Sequence, residues 1–374
     1  MTRAFAQVVP QVYDFTPYSP GLTIEEIQER YGLPQVVKLA SNENPLGASP
    51  AVVKALQKAA SQTFRYPQPG ALKLGEAIAA YHGVPADTVV PGNGSDEIID
   101  LLMRLRAVPG KHNIVTCKPC FSMYTVQARL AAVELRQVPL NRDFTPDWGA
   151  LLDAVDENTA LVFITTPDNP SGYLTPREEI AAFAKKLPPY ALLVVDEAYM
   201  DFADDEQAAS ILFMPDRPEN TAVLRTFSKC FGLAGLRVGY GIMPSELADY
   251  MRRVHMPFSV NILAEEGGIA ALGDMAFREE TLCAVREGRE YLTRELKELG
   301  CTVFPSQSNF LMFGLPPYKG HSARNVFEAL LTRGIILRPL GSYDLPDYLR
   351  VTIGNAMENK IFISALSKLL PQTE

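Results

Sequence analysis

The chain has no apolar run that approaches the ~18–20 residues needed to span a bilayer. Its first ten residues lack the charged, apolar, small-residue order of a secretory signal. A cytoplasmic location is therefore the expectation. Basic charge is not in excess: 35 Lys and Arg stand against 43 Asp and Glu, for a net charge of −8. That balance argues against nucleic acid or an anionic membrane as the main partner, and leaves room for a local basic pocket that takes a small anion. Cysteine is scarce. The five residues Cys117, Cys120, Cys230, Cys283 and Cys301 are odd in number and scattered, which is no disulfide framework. Cys117 and Cys120 form a C-x-x-C, open to a redox reading. No second C-x-x-C or H-x-x-H completes a metal cage, so the plain reading is two thiols where a strand runs into a loop. Internal repeats and low-complexity segments are absent.

What is present is a chain of 374 residues, 47% hydrophobic and 21% charged. A single core stops growing near ~250–300 residues, so two domains are expected. Short, continuous Val/Ile/Leu/Phe runs at 113–116, 160–165, 191–195 and 221–224 read as strands covered on both faces, as in parallel sheets. Helical patterns at 97–107, 122–131 and 176–187 lie between them. This alternation predicts an α/β fold built on a mostly parallel, doubly wound sheet. The last third changes character. A long charged helix at 277–299 and helices at 323–333 and 357–370 surround short strands at 310–313 and 335–338. The expected division is a large domain over 39–262, a smaller C-terminal α/β domain over 263–374, and an N-terminal arm over 1–38 that packs on the smaller domain.

Four motifs carry chemistry. Pro91-Gly92-Asn93-Gly94-Ser95-Asp96-Glu97 makes a tight turn into a helix, whose free N–H groups and dipole suit a phosphate. Glu97 stands where a dinucleotide fingerprint needs its third glycine, so that fingerprint is rejected. A simple Ser/Asp helix cap is the bland alternative. Thr166-Pro167-Asp168-Asn169-Pro170-Ser171-Gly172 follows a strand directly, at the edge where open α/β sheets place ligands, and Asn169 can offer an amide there. Turn chemistry alone would also explain it. Asp196, at the end of the run Val194-Val195, is a half-buried carboxylate that needs a partner, such as a protonated ring nitrogen or the start of the next segment. The stretch 225–240 sets Lys229 after a buried strand, where a desolvated amine is a good nucleophile toward an aldehyde. Ser228 and Arg237 beside it suit a phosphate, although a surface lysine by a glycine-rich turn is the competing reading. The four together supply a phosphate cup, an acid for a ring nitrogen, amide and hydroxyl donors, and an amine. That set matches pyridoxal 5′-phosphate (PLP).

With these motifs in this order, the chain resembles the fold-type I PLP-dependent aminotransferases, and within them the histidinol-phosphate aminotransferase family. The resemblance runs through Lys38-Leu39-Ala40-Ser41-Asn42-Glu43-Asn44-Pro45-Leu46-Gly47, Arg65-Tyr66-Pro67, the turn at 92–97 and the stretch 225–239. It continues through Met256-Pro257-Phe258-Ser259-Val260-Asn261, Ser308-Asn309-Phe310 and Leu349-Arg350-Val351-Thr352. It implies that Lys229 holds the cofactor as a Schiff base, that Asp196 pairs with its ring nitrogen, and that Asn169 and Tyr199 bond its phenolic oxygen. Phe121 is implied to stack on the ring, and Ser95, Asp96, Ser228 and Arg237 to hold the phosphate. Tyr66 is implied to reach the phosphate of a neighbouring subunit, making the active unit a homodimer. Tyr18, Asn42, Arg338 and Arg350 are implied to bind substrate, the tyrosine and arginines at its anionic groups. Two departures stand out. Asp168 occupies a position that is usually Asn, and Phe121 one that is often Tyr; stacking requires only a π-face.

The reaction implied is transfer of an amino group between L-histidinol phosphate and 2-oxoglutarate in histidine biosynthesis. Lys229 would move the proton and Arg350 would bind either substrate's anion. The alternatives on the same frame are an aromatic amino acid aminotransferase, a threonine-phosphate decarboxylase, and a PLP-binding regulator. The last would need a DNA-binding segment, for which the chain has no spare length.

Overall fold

The computed structural model describes residues 8–13, 15, 21–317 and 322–370. An early helix, Ile24–Tyr31, is capped by the Thr23 side chain and ends on Gly32 in the left-handed conformation. A short strand β1 (Val37–Lys38) follows it.

The central sheet has seven strands: β2 (Val89–Gly92), β3 (Asn113–Lys118), β4 (Glu134–Pro139), β5 (Thr159–Thr165), β6 (Leu192–Asp196), β7 (Thr221–Thr226) and β8 (Gly239–Ile242). Their order is β2-β8-β7-β6-β5-β3-β4. Strands β4, β3, β5, β6 and β7 are mutually parallel, while β8 runs antiparallel to both β7 and β2. The continuous apolar runs have the predicted cause. Along β5, Val162 and Ile164 enter one core and Leu161 and Phe163 the other; along β6, Leu193 and Val195 oppose Leu192 and Val194 in the same way. Three strands of this sheet lie outside the expectation: β2, a four-residue edge strand before the turn at 92–97, together with β4 and β8. β4 is a sheet-edge strand of mixed, largely polar sequence, and β8 is four residues, two of them glycine. Neither has the apolar run that marks a covered strand.

The long helix Met275–Glu298 leads to β9 (Thr302–Val303) and β10 (Phe310–Gly314), then β11 (Ile335–Ile336), β12 (Arg338–Pro339) and β13 (Tyr348–Thr352). A second sheet, antiparallel throughout, has the order β12-β13-β10-β9. The strand expected at 335–338 is two strands, a correction to the sequence reading. Ile335 and Ile336 pair in parallel with Val37 and Lys38 of β1, and Arg338 and Pro339 pair with β13. An apolar run shows that a segment is extended and covered; it does not show which neighbour supplies the ladder on each half. The early helix joins this region through Ile27, which shares a buried cluster with Leu331 and Ile336.

A buried ion network braces the central sheet near one edge. Arg225 on β7 is 2% exposed and pairs with Glu197 and Glu206, each at 2.8 Å. Glu197 also accepts from the Ser210 hydroxyl. A buried cation is costly unless paired and bonded in this way. Because Glu197 follows Asp196 directly, the network fixes how the chain leaves β6. Among the described residues, no helix is long and apolar enough to cross a membrane.

Candidate active site

The ends of β2, β3, β5, β6 and β7 and the start of antiparallel β8 lie along the same edge of the central sheet. The segments leaving that edge bring Ser95, Asp96, Phe121, Asn169, Asp196, Tyr199, Ser228, Lys229 and Arg237 into one cleft of about 640 Å³. Open α/β sheets bind ligands at this edge because the loops diverge there and leave a crevice.

Lys229 points its amine at the carbonyl oxygen of Ser41, 3.2 Å away, and lies 5.6 Å from the centre of the Tyr199 ring. Burial, reinforced by the nearby Arg350 cation, lowers its pKa to about 8. The turn after it needs a glycine. Gly232 has φ +69°, and a Cβ there would lie 2.0 Å from the Gly47 oxygen. The segment at 41–48 is thereby locked against the lysine turn, helped by Asn44, whose amide donates to the Cys230 carbonyl at 2.7 Å.

Asp196 is buried at the end of β6. Its carboxylate accepts from the Tyr124 hydroxyl at 2.7 Å and from the Ala198 N–H at 3.2 Å. Among the described residues no cation pairs with it, and burial pushes its pKa up to about 6. The Ala198 bond is a local turn bond and not a helix cap, since the next helical turn, Met200–Phe202, starts from Tyr199 with no side-chain cap; it uses one oxygen and leaves the charge unpaired.

The helix Ser95–Arg106 begins after Gly94 with no side-chain cap, so the Ser/Asp-cap reading does not hold. Gly94 has φ +79°, and a Cβ there would sit 2.7 Å from Arg237 Nη2. Arg237 donates to Asp96 at 3.1 Å, which holds the guanidinium across the helix start. Asn169 accepts from Arg350 Nη1 through its side-chain oxygen. Arg350 Nη2 donates to the Ala40 carbonyl at 3.0 Å, and its Nε is buried without a partner. Arg338 faces Arg350 directly on the neighbouring strand, and among the described residues neither is in an ion pair. Like charges placed opposite each other repel unless an anion lies between or near them. Among the described residues no carboxylate pairs with either arginine, so an internal ion pair does not account for them.

Tyr66 is not in the cleft. It is 81% exposed and stacks on Phe258 with centroids 4.8 Å apart. Tyr18 lies outside the described residues. Asn42 is buried beside Tyr199, to whose hydroxyl its amide donates at 3.0 Å.

The geometry agrees with what the chain is similar to. Residues 34–366 match the model of the family described as aminotransferase class I and II. The chain belongs to the class I and II aminotransferases. It is 59% identical to a histidinol-phosphate aminotransferase from Oleidesulfovibrio alaskensis, over 99% of this chain and 97% of that one. Identity is also 59% to one from Nitratidesulfovibrio vulgaris, over 97% and 96%. Among solved structures it resembles the histidinol-phosphate aminotransferase from Sinorhizobium meliloti in complex with pyridoxal-5′-phosphate, with a TM-score of 0.88 and 28% identity, covering 98% of each chain.

Residues that sequence reasoning missed support the aminotransferase cleft through hydrogen bonds to its lining. Tyr124, bonded to Asp196, sits on the buried face of the helix Ser122–Leu130 and reads in sequence as core. Ser41 acts through its backbone oxygen, for which residue type carries no signal. Asp168 does not line the cleft. Its Oδ2 accepts from the Ser171 hydroxyl at 2.6 Å and N–H at 3.1 Å, which holds the turn that presents Asn169. Cys117 is buried in β3 and Cys120 is half-buried, and both are free thiols. No cluster of three or more His, Cys, Asp or Glu among the described residues could hold a metal.

Proposed function

We propose that this aminotransferase uses pyridoxal 5′-phosphate to transfer an amino group between L-histidinol phosphate and 2-oxoglutarate, giving imidazole acetol phosphate and glutamate in histidine biosynthesis. The full-length match to relatives of that name carries the substrate. The residues of the cleft fit the cofactor on a separate ground. Asp196 is a buried carboxylate with no cation among the described residues, set in the same cleft as a desolvated lysine and an uncapped helix start held by Arg237. That is the complement of a protonated ring nitrogen, an aldehyde and a phosphate.

When bound, the cofactor supplies an aldehyde that takes up the substrate's amino group and a ring that accepts the electron pair released at the substrate carbon. The protein's residues do the rest. Asp196 holds the proton on the ring nitrogen, and Tyr124 and the Ala198 N–H orient that carboxylate. Asn169 and Tyr199 would donate hydrogen bonds to the phenolic oxygen, and Phe121 would stack on the ring. Backbone N–H groups at Ser95 and Asp96 at the uncapped helix start, the Ser228 hydroxyl and the Arg237 guanidinium would hold the phosphate, with the Asp96 carboxylate bracing Arg237. Lys229, at its lowered pKa, is partly unprotonated near neutrality, so its Nζ could take the proton from the substrate carbon and deliver it to the cofactor's aldehyde carbon C4′. Arg350 is braced by Asn169 and Ala40, and it offers the substrate's anionic group a guanidinium with one buried N–H to spare. Asn42, Arg338 and Tyr18 complete the substrate site.

The active unit is a homodimer in which Tyr66 serves the neighbour's phosphate. Its 81% exposure in the single chain, held against Phe258, supports that reading. The division into an arm (1–38), a large domain (39–262) and a small domain (263–374) is part of the same proposal. The deciding experiment is an amine-donor panel with 2-oxoglutarate as acceptor, following carbon dioxide in parallel. Histidinol phosphate should exceed aromatic amino acids in kcat/KM, with no carbon dioxide released. A preference for an uncharged aromatic donor, or decarboxylation of a phosphorylated amine, would overturn the substrate assignment.

A further inference from the structure

Asn42 and Thr352 form a closed hydrogen-bond chain behind Tyr199. The Asn42 backbone N–H donates to Thr352 Oγ1 at 2.9 Å. Thr352 Oγ1 lies 2.9 Å from Asn42 Oδ1, and Asn42 Nδ2 lies 3.0 Å from Tyr199 Oη. All three side chains are buried, and Asn309 donates to the Asn42 carbonyl at 3.0 Å. The direction of every bond follows from the first. A backbone N–H can only donate, so Thr352 Oγ1 is an acceptor there and must place its own proton elsewhere. The acceptor within reach is Asn42 Oδ1. That fixes the amide with Nδ2 toward Tyr199, so the phenol accepts from Asn42. The opposite amide orientation would set two donors on Thr352 Oγ1, leave its proton without a partner, and draw the Tyr199 proton back toward Asn42.

Tyr199 therefore has its hydroxyl proton free to point away from Asn42, and no other described residue bonds Oη. We propose that Thr352 and Asn42 are a positioning relay that keeps Tyr199 a hydrogen-bond donor toward the phenolic oxygen of the cofactor. This gives Asn42 a role besides substrate contact, and a role to Thr352, a strand residue of the second sheet. The relay joins the edge of the central sheet at Tyr199 to β13, the strand that carries Arg350. Asn suits position 42 twice over. Its backbone is left-handed, with φ 55°, which Asn tolerates better than most residues, and its amide has both a donor and an acceptor.

The inference rests on the proposed placement of Tyr199 at the phenolic oxygen, and the test separates the two. The readout is the pH midpoint at which the visible absorbance of the cofactor in the holoenzyme changes. A bond donated to the phenolic oxygen stabilises its negative charge. Without that bond the oxygen is more basic, and the proton it shares with the lysine nitrogen is retained to higher pH. Tyr199→Phe should raise the midpoint by about one to two pH units, the span of a hydrogen bond to a charged group. Thr352→Val should raise it by roughly half as much or more, and Thr352→Ser should leave it unchanged. Thr352→Ala serves should the valine variant fail to fold. On the Tyr199→Phe background, Thr352→Val should add nothing. No shift with Tyr199→Phe overturns the placement of Tyr199 and the relay with it. A shift with Tyr199→Phe but none with Thr352→Val, or an equal Thr352→Val shift on both backgrounds, overturns the relay alone.

Discussion

Replacing Asp196 with Asn should make the cofactor-free protein more stable while it weakens the cofactor's hold. The Asp196 carboxyl is buried without a cation, and its pKa rises from the ordinary 3.8 to about 6. A carboxyl whose folded pKa is raised contributes its stability fully below the unfolded value and loses it as pH climbs through the folded value. Here that window runs from about pH 4 to about pH 6. A shift of about two units corresponds to roughly 3 kcal/mol of lost stability above the window. Asn carries no charge to desolvate and can use the same partners. Its amide N–H₂ takes the place of Oδ2, and Tyr124 turns its proton to Thr165 Oγ1, 2.9 Å away. The assay is the difference in unfolding free energy between wild type and Asp196→Asn, both stripped of cofactor, in a pH series. The difference should grow in favour of Asn from pH 4 to about pH 6.5 and then level off. With saturating cofactor the order should reverse, because a protonated ring nitrogen pairs with Asp196 and not with Asn. A variant that is less stable than wild type by the same amount across the whole range would refute the reasoning.

The lysine, the exposed tyrosine and the two arginines each have a measurable consequence. The rate at which stripped protein captures the cofactor's aldehyde should rise with pH and level off near pH 8, the lowered pKa of Lys229, rather than near 10.5. Lys229→Ala should abolish capture and reduce turnover by roughly 10²–10⁴ or more, so substantial turnover in that variant would remove Lys229 from the mechanism. Tyr66→Phe should weaken cofactor binding by about 1.5–3 kcal/mol. In a dimer of Tyr66→Phe with Lys229→Ala, one site should carry both lesions and the other neither; mixtures no more active than either parent would contradict a residue shared between subunits. Arg350→Lys should keep the fold and the cofactor yet impair single-turnover conversion with both histidinol phosphate and glutamate, because an ammonium cannot make the bidentate contact. Arg338→Ala should slow the phosphorylated donor more than an uncharged aromatic one. Equal, small effects on all donors with a lowered melting temperature would return both arginines to a structural role.

The strands β3, β5, β6 and β7 and the helices between them are legible in the sequence because each is buried on both faces and its residues show it continuously. The turn at 92–97, the Asp at the end of β6 and the lysine after β7 are legible for a related reason. The last two set a costly residue next to such a strand, and the turn announces itself by glycines that run straight into a helix. β2, β4 and β8 were not legible. β2 and β8 are only four residues long, and β4 is an edge strand that needs no apolar run. The split of 335–338 between two sheets was likewise invisible, since hydropathy records burial and not the identity of the pairing partner.

Residue type and order by themselves determined the class of chemistry: an amine, a carboxylate and an anion cup, each at the end of a strand. The tertiary structure decided what each group meets. That Asp196 takes its proton donor from Tyr124, that Lys229 leans on a backbone oxygen 188 residues away, and that Asn42 and Thr352, 310 residues apart, orient Tyr199 are consequences of packing. Hydrogen bonds act over about 3 Å, and no spacing along a chain reports which distant atoms the fold will bring that close.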